Sequence, residues 1–287
     1  MRGFMETLYT AQSRGLIHYL NPWELLKNLW RNRDLIGQFT LREIQGRYRG
    51  SFLGILWSFI NPLVMLLTYT FVFGTIFKSR WPGIRRGSLS EFAIILFSGM
   101  IAFNIFQECV GRAAGLVVAA PNFVKKVVFP LEILPLAVMG SALFHAGVSL
   151  AILLLAAVLE GNPLSWTLLL APLVLVNLVF LTLGLTWFIA GIGVFLRDMN
   201  YTILLLIQVL FFVTPILYPL EIIPAPIRRI VSLNPLTGII ENFRSVLLWG
   251  RLPAWYDLGR WLLPSILVML LGYAWFMTTK RAFGDVI

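Results

Sequence analysis

The residues of this chain that could do chemistry lie within its apolar runs or at their ends. Asn104, Gln107, Glu108, Gly111 and Arg112 recur at helical offsets, which places them on one face of a helix. Polar side chains on a lipid-immersed helix face the bundle or a water-filled path, so the stripe reads as interhelical glue or as the lining of a polar passage. Glu108 and Arg112 are spaced to neutralise each other as an i, i+4 pair. His145 stands isolated in a different run; a hydrogen-bonded packing histidine is the simpler reading, a proton relay the other. The chain has two His and one Cys, Cys109, far apart. That excludes an intrachain disulfide and predicts no metal site. No G-x-x-x-x-G-K-[ST] phosphate loop occurs, nor the paired intramembrane carboxylates that a hydrolase within a membrane needs. The sequence therefore predicts no catalytic residue and no cofactor of its own.

The elements that must position this stripe are long and apolar. Six runs, at Phe52–Phe77, Phe92–Val110, Leu131–Leu159, Trp166–Leu196, Tyr201–Leu217 and Trp261–Met277, mostly match or exceed the roughly 20 residues that cross a bilayer as a helix. Hydrophobic residues make up 59% of the chain and charged ones 13%, against about 25% charged in soluble domains. The predicted class is an all-α membrane protein with six transmembrane helices, an amphipathic cytoplasmic lead-in over residues 1–50 and one membrane domain over 51–287. The net charge of +10 reads as attraction to lipid headgroups and as topology, with no nucleic-acid partner. Eight of the 23 Lys and Arg precede the first run, which puts the N-terminus inside, and six spans return the C-terminus to the same side. Residues 1–20 lack the apolar core of a cleavable signal, so the first span is expected to act as an uncleaved anchor.

In the lead-in, Asn21-Pro22-Trp23-Glu24 is a helix start, with Asn21 as cap and Pro22 in the first turn. Trp23, Leu25, Leu26, Leu29 and Trp30 share one side of that helix, and Glu24, Lys27, Asn28, Arg31 and Asn32 share the other, the pattern of a helix lying in the membrane interface. Asp34 is expected to cap a second helix running to Arg49, with Leu41, Ile44, Tyr48 and Phe52 as its apolar stripe. A plain surface anchor and a gate or headgroup contact at the cytoplasmic mouth of a pathway both fit.

Within span one, Pro62 is expected to kink the helix. Trp57 and Phe59 sit near its cytoplasmic end, and Tyr69, Phe73 and Phe77 stack along one side. These rings form an aromatic belt with ordinary packing, or a track on which the C–H faces of sugar rings slide. The link from Ala119 to Pro130 is short and flanked by Pro121 and Pro130. It is an ordinary loop, or a compact basic helix, with Lys125 and Lys126 outward, against which a peripheral motor pushes. The stretch Tyr218–Arg260 holds a helix from Asn234-Pro235 to Gly250. Ile239, Ile240, Phe243, Val246 and Leu247 form its apolar side, and Glu241 and Arg244 are spaced to pair. Too short to span, it suits re-entrant or interfacial helices on the outer side between spans five and six.

Taken in order, Leu41–Pro62, Asn122–Pro135, Phe195-Leu-Arg-Asp198 and Ser232-Leu-Asn-Pro-Leu236 resemble the signatures of ABC-2 type permeases that export bacterial polysaccharides. The resemblance covers about residues 34–280. It implies a permease that pairs with a second copy of itself and with two copies of a separate ATP-binding cassette subunit, where ATP and Mg would be bound. It implies residence in the bacterial inner membrane among membrane lipids, both termini cytoplasmic, and a lipid-linked glycan substrate, O-antigen foremost, with capsular polysaccharide or teichoic acid as alternatives. The positions implied for ATPase coupling are Pro121, Asn122, Phe123, Val124, Lys125 and Lys126. Those for the cytoplasmic gate and headgroup are Arg42, Arg47, Tyr48 and Arg49. The translocation path implied comprises Trp57, Phe59, Tyr69, Phe73, Asn104, Gln107, Glu108, Phe211, Phe212 and Tyr218. A drug or small-lipid exporter of the same superfamily would instead need a narrow greasy pocket. A membrane-embedded transferase or assembly factor would need convergent acid–base residues, which the sequence lacks.

Overall fold

A computed structural model describes residues 19–77, 81, 89–124, 129–161 and 164–287. The described chain is helical: α1 (Pro22–Arg31), α2 (Arg33–Tyr48), α3 (Trp57–Tyr69, prolonged by a π-turn over Thr70–Ile76), α4 (Leu89–Leu116), α5 (Pro121–Val124), α6 (Ile133–Leu159), α7 (Ala171–Gly193), α8 (Met199–Val213), α9 (Ala225–Val231), α10 (Pro235–Leu247), α11 (Trp255–Thr279) and α12 (Phe283–Val286). Five of the six apolar runs, at α3, α4, α6, α7 and α11, become helical stretches long and apolar enough to cross a membrane. The run at Tyr201–Leu217 does not. Its helix, α8, has 15 residues, about 22 Å at 1.5 Å per residue, short of the roughly 30 Å hydrocarbon core. Pro215 explains the shortfall: a residue before proline is pushed out of the helical region, and Thr214 is extended at φ −78° and ψ 135°.

Small residues set how closely the helices approach. A Cβ on Gly272 of α11 would lie 2.0 Å from the Gly184 carbonyl oxygen of α7, so these helices meet backbone to backbone, as membrane helices do where side chains are absent. Pro62 lies inside α3. The aromatic stack expected above it is present, with Tyr69 and Phe73 centroids 6.3 Å apart and Phe73 and Phe77 5.8 Å apart.

The lead-in is two helices. Asn21 caps α1 by accepting from the Trp23 N–H at 3.0 Å. The expected apolar side divides: Leu25 is buried, while Trp23, Leu26 and Trp30 are exposed. Asp34 does not cap α2, because that helix already begins at Arg33, with Asn32 at the cap position. The α2 stripe also divides, Ile44 and Tyr48 buried and Leu41 and Phe52 exposed. Helix α2 lies against α6, where Gly140 admits it: a Cβ there would come within 2.7 Å of Thr40.

At the other end of the bundle, α10 starts as expected, with Asn234 accepting from the Leu236 N–H, and Ile239, Ile240, Phe243, Val246 and Leu247 are all buried. Arg244 is fully buried. Its guanidinium donates to the Pro215 carbonyl at 2.8 Å, the Ile216 carbonyl at 2.8 Å, the Ile95 carbonyl at 3.3 Å and Glu241 Oε1 at 2.7 Å, and lies 4.7 Å from the Trp81 ring centroid. One planar five-donor group thus satisfies the carbonyls that the break after α8 exposes. Arg244→Met is expected to destabilise the protein by roughly 3 kcal/mol or more, because it orphans these acceptors and Glu241 together. Arg244→Lys should recover only part, lacking the fork. Thermal unfolding of purified protein in detergent reads both.

Candidate functional site

The polar stripe of α4 meets α2 directly. Arg47 donates from Nη2 to Glu108 Oε1 and from Nη1 towards His145 Nδ1 at 3.3 Å. His145 Nδ1 also lies 3.8 Å from Glu108 Oε2, and Tyr48 packs edge-on to the imidazole at 5.8 Å. Arg112 pairs with Glu43 at 2.6 Å. The pairing of Glu108 with Arg112 expected within one helix is therefore replaced by two ion pairs that cross from α4 to α2. The cause is proximity: α2 brings its own Arg47 and Glu43 within reach of both partners. His145 is likewise not isolated but joins α6 to this cluster. Burial raises the Tyr48 phenol above its ordinary range, with Arg47 beside it pulling the other way, so Tyr48 stays neutral near pH 7.

Three cavities lead from this cluster, each sharing lining residues with the next. The first, about 790 Å³, is lined by Arg42, Glu43, Arg47, Arg49 and Arg112. The second, about 450 Å³, continues from Arg47 and Arg112 past Glu108, Gly111 and His145 to Asn104 and Gln107. The third, about 600 Å³, shares Asn104 and Gln107 and ends among Tyr69, Phe97 and Phe211. The order is basic, then mixed polar, then amide, apolar and aromatic side chains together.

The short helix α5 carries Phe123 into a second cluster. Phe123 and Phe129 stack at 4.4 Å, each ring is 5.4 Å from Phe39 of α2, and the Arg42 guanidinium lies 5.8 Å from both Phe39 and Phe123. The link between α4 and α6 is thereby packed against the same helix that carries Arg47. Lys125 and Lys126 lie outside the described residues; Pro121, Asn122 and Val124 form α5 with Phe123.

Of the residues expected on a path, Tyr69, Asn104, Gln107, Glu108 and Phe211 line the second or third cavity. Trp57 and Phe59 line none of the three: the Trp57 indole donates to Ser51 Oγ at 2.8 Å, and Phe59 is exposed. Phe212 is exposed and touches Phe211. Phe73 packs on Phe92 and Phe77. The Tyr218 hydroxyl donates to the Phe212 and Val213 carbonyls, where it supports the end of α8. Arg42, Arg47 and Arg49 line the first cavity.

Sequence reasoning passed over Glu43, Phe39, Gln208 and Glu132. Gln208, one turn from Leu204 and Phe211, lines the third cavity; its signal was the lone amide side chain in the apolar fifth run. Glu43 and Phe39 carry no local signal, because their partners come from other helices.

Residues 34–248 match the family model described as ABC-2 type transporter, and the chain belongs to that family. Over nearly its whole length it is similar to curated permeases. It is 29% identical to the O-antigen export system permease protein RfbA of Myxococcus xanthus, covering 92% of this chain and 99% of that protein. It is 26% identical to the protein of the same name from Klebsiella pneumoniae, covering 88% and 95%. The polysialic acid transport protein KpsM of Escherichia coli is 25% identical, with 84% and 92% covered.

The crossed ion pairs are expected to be energetically coupled. A double-mutant cycle of Arg47→Met and Glu108→Gln, read by thermal unfolding, should give an interaction energy of about 1 kcal/mol, reduced from a buried pair's value because Arg47 is partly exposed. Additive effects would mean that the contact does not hold α2 to α4.

Proposed function

We propose that this chain is the membrane-spanning permease of an ATP-driven exporter that moves a lipid-linked polysaccharide out of the cytoplasm. O-antigen is the substrate that the similarity to two O-antigen export permeases favours; capsular polysaccharide and teichoic acid are the alternatives. The observation that carries the reading is the shared run of cavities from the basic face of α2 to the aromatic end at Tyr69 and Phe211. Guanidinium groups suit the anionic phosphate of a lipid carrier. Amide and aromatic groups suit sugar hydroxyls and C–H faces, and neither holds a chain too tightly to advance.

The expected assembly is two copies of this chain over two copies of a separate ATP-binding subunit that holds ATP and Mg. The cavity at Tyr69 and Phe211 is walled by α3 and α8, whose other faces expose Leu63, Leu67, Leu205 and Leu206; a second copy set against these faces would complete the wall. Helix α8 and the turn that continues it to Leu217 then serve as the fifth of six spans, with α9 and α10 as re-entrant helices on the outer side. Lead-in, α4–α6 link and C-terminal tail share one side, as the contacts of Asn28, Glu132 and Lys280 require, which supports placing both termini in the cytoplasm of the inner membrane.

Closure of the ATPase dimer would press on α5. The Phe39, Phe123 and Phe129 cluster would pass that push to α2, and α2 would shift Arg47 and Glu43 relative to Glu108 and Arg112. An arriving phosphate group would compete with the two carboxylates for the two guanidiniums, opening the mouth when substrate is present. The test is export of lipid-linked glycan by vesicles containing this chain and its ATPase. Phe123→Ala and Phe39→Ala should each reduce export about tenfold or more while the complex still assembles and hydrolyses ATP. Full export by either variant, or export by this chain without an ATPase, would overturn the reading.

A further inference from the structure

Glu132 lies in the turn just after Phe129 and Pro130, and only 4% of it is exposed. Its Oε1 accepts from Asn28 Nδ2 of α1 at 3.0 Å. Its Oε2 accepts from Lys280 Nζ, directly after α11, at 2.7 Å. Its backbone carbonyl accepts from the Trp187 indole of α7 at 3.0 Å. Asn28 Nδ2 also donates to the Tyr273 hydroxyl of α11 at 2.9 Å, and Tyr273 packs edge-on to Trp187 at 5.2 Å. One buried residue therefore joins the root of the α4–α6 link to the first lead-in helix, to α7 and to the C-terminal tail.

The aromatic contact between link and lead-in is of a different physical kind. Phe39, Phe123 and Phe129 meet through apolar rings, whose attraction tolerates sliding and tilting. A buried carboxylate with an ammonium and an amide tolerates neither, because displacement leaves charge unpaired in a low-dielectric site. Between the two contacts sits Asn32, the only residue separating α1 from α2. Its Nδ2 donates to the carbonyl and Oδ1 of Asn28 at 2.9 and 3.0 Å, so the joint is tied to the clamped residue. A fixed point, a joint and a compliant push point make a lever.

We propose that Glu132 is a positioning residue that clamps α1 and the C-terminal tail to the bundle, so that a displacement at Phe123 swings α2 about Asn32 instead of shifting the whole lead-in. The proposal rests on the export reading for its consequence, but the clamp itself can be measured without a substrate.

Two readouts on the purified complex of this chain with its ATPase test it. In hydrogen exchange followed by mass spectrometry, Glu132→Gln and Lys280→Met should each accelerate exchange in residues 22–31 and 280–286 and leave residues 235–247 unchanged. In vesicles, both variants should hydrolyse ATP within about twofold of the parent yet export at least about fivefold less glycan per ATP. Lys280→Arg should retain export, and the double variant should be no worse than either single, because both act at one joint. Unchanged exchange in both variants, additive losses, or an unchanged ratio of glycan to ATP would overturn the proposal. Should Glu132→Gln fail to fold, Lys280→Met decides alone, its side chain being a quarter exposed. If the parent complex exports no glycan, the functional reading falls, and exchange alone judges the clamp.

Discussion

Lipid offers no hydrogen bonds, and that constraint governs how this chain handles the break after α8. The break after α8 leaves the carbonyls of Pro215 and Ile216 outside any helix, and the chain supplies its own solvent for them in the guanidinium of Arg244. That solution requires Arg244 to be delivered by a helix that reaches into the bundle, which is what α10 is. It also fixes α4, because the same group takes the Ile95 carbonyl. Gly99 follows from it as well, since a Cβ there would lie 2.5 Å from an Arg244 nitrogen. A proline near one end of a helix thus dictates a buried arginine, a short inserted helix and a glycine far away in sequence.

The opposite end of the bundle is governed by charge exchange. Glu108 and Arg112 would satisfy each other in an isolated helix. In the folded chain they turn to Arg47 and Glu43 of α2, and α2 becomes attached to the mouth of the cavities. Because α2 also packs on Phe123 and Phe129, the mouth and the α4–α6 link are in mechanical contact through one 16-residue helix. Polar contacts hold one end of that helix, and apolar contacts hold its middle.

Much of this was legible in residue order. The helical period brought Asn104, Gln107, Glu108 and Arg112 to one face, and the structure gathers them around one cavity. The caps at Asn21 and Asn234 and the apolar side of α10 follow from local chemistry and are present. Contacts between distant segments were not legible. Nothing near Glu108 in sequence says that Arg47 will compete with Arg112, and nothing near Phe39 says that it meets Phe123. Hydropathy also overstated the fifth run: Thr214–Leu217 is apolar enough to count, but proline chemistry ends the helix before it. Trp57 and Phe59 carry the right side-chain type for a sugar track, and neither is among the lining residues of the three cavities; composition does not encode which way a helix is rotated.

The backbone contact between Gly184 and Gly272 has a bearing on where the protein can yield. Helices joined through side chains can change rotamers and slip by fractions of a turn. Two main chains pressed together with nothing between them have no such freedom, so α7 and α11 behave as a single stiff post. Under the proposed export function, widening for a bulky cargo would fall to α3 and α8, with α7 and α11 as the frame against which they move.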